Sequence, residues 1–81
     1  MELWIRSQDK RILQKVDNIF LDANYENKRI STYDGDNVEL GTYKTKERAL
    51  EVLDKIQNKI NAISNMDDIN FINVVYEMPK E

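Results

Sequence analysis

Ala49, Val52, Leu53, Ile56, Ile60 and Ile63 recur at spacings of three and four through a stretch that contains neither Gly nor Pro. That spacing defines an α-helix with a single apolar stripe, and a single stripe must be buried against another layer. The preceding residues supply that layer. Arg29–Tyr33 and Asn37–Tyr43 alternate in polarity on either side of Asp34-Gly35-Asp36. Gly35 provides the positive φ of a tight turn, so this segment reads as a β-hairpin. Thr45 follows directly and can N-cap the helix, which is predicted from Thr45 to about Ser64.

The flanking segments read as further strands. Leu3 to Ser7 is a short strand with Leu3 and Ile5 on one face and Trp4 and Arg6 on the other. Ser7-Gln8-Asp9-Lys10 is a polar turn. Ile12 to Ala23 is β-rich but not strictly alternating, which predicts an extended segment with a bulge or bend near Asp17-Asn18; a short helix over Lys10 to Val16 is the alternative. Asn65-Met66-Asp67-Asp68 ends the helix by composition. Phe71 to Tyr76 then forms a last strand at a sheet edge before Pro79 stops pairing. The expectation is one α+β domain over residues 1–81: an antiparallel sheet of four or five strands covered on one face by the helix.

At 81 residues the core is small. Chains of this size bury only about 60 to 65 per cent of their unfolded surface, so a homo-oligomer is expected to add to it. The chain has no Cys and no His, which excludes disulfides, thiolate chemistry, serine–histidine triads and the usual zinc sites. Neither an enzyme nor a metal or cofactor is expected. A net charge of −3 and a pI near 4.9 argue against binding of a DNA or RNA polymer. No apolar run has the length of a membrane span and no signal-peptide core is present, so the expected location is the cytoplasm, with no membrane partner.

The residues that point to a ligand gather at the strand-to-helix turn. Tyr43-Lys44-Thr45-Lys46-Glu47-Arg48 combines free helix-start N–H groups, the Thr45 hydroxyl and the cations Lys44, Lys46 and Arg48, a subsite suited to phosphate, with Tyr43 able to stack on a base. The same composition also occurs as ordinary solvated surface, with Glu47 offsetting the cations. Trp4 and Arg6 share a strand face and can sandwich an aromatic ligand or form an intramolecular cation–π pair; Trp4 can equally belong to the core or to a subunit contact. Asp34, Asp36 and Glu39 lack the twelve-residue calcium-loop pattern, and the hairpin accounts for them. Lys46, Glu51, Asp54, Lys55 and Lys59 form a solvated helix face with a favourable Glu51–Lys55 pair.

Leu-Trp-Ile-Arg-Ser-Gln-Asp-Lys (Leu3 to Lys10), Leu-Gly-Thr-Tyr-Lys-Thr-Lys-Glu-Arg-Ala-Leu-Glu-Val-Leu-Asp-Lys-Ile-Gln (Leu40 to Gln57) and Val-Tyr-Glu-Met-Pro (Val75 to Pro79) together resemble small proteins encoded by phages and prophages of Gram-positive bacteria. Within that group the layout is similar to the Thoeris anti-defence sponges. The resemblance implies a non-catalytic homo-oligomer that sequesters a cyclic ADP-ribose-like or oligonucleotide immune signal in the host cytoplasm. It implies phosphate contacts from Lys44, Thr45 and Arg48 and stacking by Tyr43 or Trp4. The competing expectation is a small phage inhibitor that docks on a host defence protein, in the manner of an anti-CRISPR, or an accessory phage protein with a purely protein-binding role.

Overall fold

The computed structural model describes residues 2–64 and 73–81. Among them the chain forms β1 (Glu2–Arg6), β2 (Leu13–Lys15), β3 (Phe20–Asp22), a 3₁₀ turn (Ala23–Tyr25), β4 (Arg29–Tyr33), β5 (Asn37–Thr42), α1 (Lys46–Ser64) and β6 (Asn73–Glu77). The fold is α+β with one long helix, as the stripe requires. The expected helix exit at Asn65–Asp68 and the first two residues of the expected last strand, Phe71 and Ile72, lie outside the described residues.

The sheet differs from expectation. The six strands make two three-stranded sheets, β2-β1-β6 and β3-β4-β5, instead of one antiparallel sheet of four or five strands. The second is an antiparallel meander. The first is mixed: β2 runs antiparallel to β1, while β6 pairs parallel to β1 with Leu3 opposite Val74 and Ile5 opposite Tyr76. A parallel neighbour needs a long crossover, and α1 lies within it.

Asn18 explains the break between β2 and β3. Its side-chain amide donates to the Tyr33 carbonyl (3.0 Å) and accepts from the Tyr33 N–H (2.9 Å), while its own carbonyl accepts from the Thr32 hydroxyl (2.6 Å). One side chain thus stands in for a strand partner at the end of β4, and the chain bends there, near the predicted Asp17-Asn18 site. The alternative helix over Lys10 to Val16 does not form; β2 occupies that stretch. The Arg29–Tyr33 hairpin closes through Gly35 at φ 75°, and a register shift between Ile30 and Ser31 passes over Leu40.

Thr45 caps α1 as predicted, its Oγ1 accepting from the Arg48 N–H at 3.1 Å. The helix buries Ala49, Val52 and Ile56 into a core shared with Leu3, Ile5, Ile30, Leu40 and Val74, while Ile60 and Ile63 pack at its margin. Each fully buried aliphatic side chain contributes about 1.5–3 kcal/mol. The two sheets are also joined by Gln8, whose N–H donates to the Leu40 carbonyl (2.8 Å) and whose Oε1 accepts from the Thr42 N–H (2.9 Å). No helix among the described residues is long and apolar enough to cross a membrane.

Candidate functional site

The strand-to-helix turn opens onto a cleft of about 340 Å³ lined by Gln8, Thr42, Tyr43, Lys44, Arg48, Lys80 and Glu81. β5 delivers Thr42 and Tyr43, the first turn of α1 delivers Arg48, and the stretch after β6 returns along the other wall. Three successive carbonyls of that stretch are held by side chains from three separate parts of the chain: the turn after β1, the residue after β5 and the first turn of α1. Tyr43 donates its hydroxyl to Pro79 O (2.9 Å), Gln8 donates Nε2 to Lys80 O (2.7 Å), and Arg48 donates Nε and Nη2 to Glu81 O (2.9 and 2.8 Å). The arrangement is a clamp on residues 79–81, and it brings Lys80 to the cleft beside Lys44 and Arg48.

Of the seven residues singled out from the sequence, Tyr43, Lys44 and Arg48 line this cleft. Thr45 and Lys46 sit in the same turn without lining it, and the Thr45 hydroxyl is engaged as the helix cap. Trp4 and Arg6 are elsewhere, on the outer face of the β2-β1-β6 sheet. Arg6 Nε donates to Lys10 O at 2.9 Å, and the cation–π contact found among the described residues is Arg29 over Tyr25, 3.4 Å from the ring centroid, not Arg6 on Trp4.

Tyr43 also needs correction. It is only 4 % exposed, and its ring belongs to the core, so it offers no free face for stacking a base. Gly41 lies close against it: a Cβ there would sit 3.1 Å from the Tyr43 hydroxyl and 3.2 Å from both the ring and Gln8 Cβ, a tight fit. Burial, reinforced by the neighbouring Tyr76 and opposed by Arg48, pushes the Tyr43 phenol up to about 12. Burial raises Tyr76 as well. Both groups are therefore neutral phenols at physiological pH.

Arg48 carries the electrostatics of the cleft. Its Nη1 pairs with Glu51, and its other two donor groups grip Glu81 O. The guanidinium is therefore preorganised, with three of its five N–H donors engaged by these bonds. Sequence reasoning missed Gln8, Thr42, Lys80 and Glu81: Thr42 adjoins Tyr43 at the end of β5, whereas Gln8, Lys80 and Glu81 meet only through tertiary contacts. Among the described residues no cluster of acidic side chains is placed to hold a metal ion.

Comparison of the chain with protein-family models, with curated proteins and with solved structures gives no match.

Proposed function

We propose that this chain is a non-catalytic binder that captures a small anionic nucleotide signal, of the cyclic ADP-ribose or cyclic oligonucleotide class, and so acts as a phage-type anti-defence protein in the bacterial cytoplasm. One observation carries the reading: a cleft of nucleotide-fragment size gathers Lys44, Arg48 and Lys80 beside the start of α1. In this reading Arg48 supplies a bidentate phosphate contact, Lys44 and Lys80 supply flanking charge, and Gln8 and Thr42 supply polar contacts to a sugar or base edge. Tyr43 supports the wall and does not stack. Capture breaks no bond, in keeping with a chain that contains no Cys or His nucleophile or base.

Titration calorimetry with cyclic ADP-ribose as probe tests this. The expected result is saturable binding, with the nucleotide recovered chemically unchanged. Arg48→Ala removes a charge-assisted contact and is expected to weaken binding by about 10- to 100-fold. An affinity unaffected by Arg48→Ala takes this residue out of the site, and no binding of cyclic ADP-ribose or of cyclic dinucleotides refutes the reading.

A second reading is supported by the outer face of the first sheet, where Leu13 is 50 % and Val75 51 % exposed on the side that carries Trp4. Apolar residues displayed on a sheet face suit a protein partner, such as a host defence protein. Partner capture abolished by Trp4→Ala, with no nucleotide affinity, would select it.

A further inference from the structure

The strand edges of this fold are not equally protected. The outer edge of β5 is covered by Gln8, which bonds Leu40 O and the Thr42 N–H. β2 is three residues long, displays Lys15, and has the Lys15 carbonyl taken by the Gln14 side chain at 2.9 Å. β3 is equally short and runs directly into the 3₁₀ turn. β6 is five residues long and pairs on one side with β1; none of the described residues bonds its other side.

The phase of β6 is fixed by the Met78 N–H donating to Arg6 O at 3.0 Å. Backbone groups alternate sides along a strand, so Val74 and Tyr76 turn theirs toward β1, and Asn73, Val75 and Glu77 present theirs at the free edge. Their side chains lie on the same outer sheet face as Trp4, which is opposite Val75 in the ladder. Pro79 has no N–H, so edge pairing must end after Glu77.

We propose that this edge is a self-pairing interface: two copies of the chain join antiparallel through β6 about a two-fold axis at Val75, forming one six-stranded sheet. Three features select a second copy as the occupant. The three outward-facing residues are centred on Val75, so the symmetric register matches every outward N–H with an outward carbonyl of the other copy. It places Asn73 opposite the partner's Glu77, an amide donor facing a carboxylate, with no like charges opposed. It also places Val75, half-exposed in the single chain, against the partner's Val75, and so joins the two Trp4 residues through one apolar row across the new sheet. An edge strand that carries no lysine or proline, and that no element among the described residues covers, is the configuration that recruits another strand. Pairing over five residues buries less than the roughly 800 Å² per partner of a standard interface, so the dimer is concentration-dependent.

Sedimentation velocity of the full chain over a wide concentration series tests the inference. The expected result is a reversible monomer–dimer equilibrium. Val75→Lys, which opposes two ammonium groups at the axis, abolishes the dimer while circular dichroism of the monomer is unchanged. Asn73→Lys, which creates two cross-strand pairs with the partner's Glu77, tightens it by about two- to thirtyfold at low salt. A chain that stays monomeric throughout overturns the proposal and leaves the edge to an extended peptide of another protein. A dimer indifferent to both substitutions also overturns it, because a different surface would then be in use. The outcome does not depend on the nucleotide reading, since the cleft is formed by other residues.

Discussion

Tyr43→Phe removes one oxygen atom from the clamp and leaves the ring in place. The lost bond runs from the hydroxyl to Pro79 O at 2.9 Å and is partly buried. A neutral hydrogen bond of this kind is worth about 0.5–1.5 kcal/mol net, and water can reach a carbonyl so near the surface, so the expected loss is about 1 kcal/mol. In a domain of this size that lowers Tm by about 4–8 °C. A second, independent signature comes from pH. The folded phenol keeps its proton up to about 12, whereas in the unfolded chain it ionises near its ordinary value of 10. The unfolded state therefore releases this proton first as pH rises. The Tyr43 contribution is fully present below pH 10 and is lost progressively as pH rises from 10 toward 12. Phenylalanine has no such dependence, so the stability advantage of the parent chain at neutral pH narrows in strong alkali, while the Tyr76 contribution is common to both proteins. Thermal unfolding followed by circular dichroism at neutral pH and at several alkaline pH values measures both effects. Equal Tm values at neutral pH would refute the hydroxyl–carbonyl contact and with it the description of residues 79–81 as clamped, and parallel alkaline curves would refute the burial of the phenol.

Thr45→Ala deletes the side-chain acceptor of the Arg48 N–H and is expected to cost about 1 kcal/mol in a denaturant titration; unchanged stability would show that the helix start is capped otherwise. Lys10 sits at φ 67°, a left-handed conformation that costs a residue with a Cβ about 1–2 kcal/mol, and its N–H closes the turn onto Ser7 O at 2.9 Å. Lys10→Gly is therefore expected to raise Tm, and a fall in Tm would contradict the turn geometry.

The hairpin and the helix were legible in the sequence because their determinants are local. Gly35 permits its turn, Thr45 caps its helix, and the stripe from Ala49 to Ile63 has one period. The division into two sheets was not legible. It depends on Asn18 acting as a surrogate strand partner for Tyr33, and an isolated Asn in a β-rich run does not reveal what it will bond. The parallel pairing of β6 with β1 joins opposite ends of the chain, and alternation within either strand carries no information about its neighbour. The same limit applies at the cleft. Lys44 and Arg48 could be read from the turn, but the burial of Tyr43 is a matter of tertiary packing against residues such as Gly41 and Gln8, and Lys80 arrives because Gln8, Tyr43 and Arg48 hold the carbonyls of residues 79–81.

Native mass spectrometry of the protein purified from bacteria with an active nucleotide-signalling defence system, beside protein from cells lacking that system, tests the central claim most directly. The account predicts a retained small-molecule mass on a defined oligomer in the first preparation and its absence in the second. An unliganded species in both would contradict capture of a nucleotide signal.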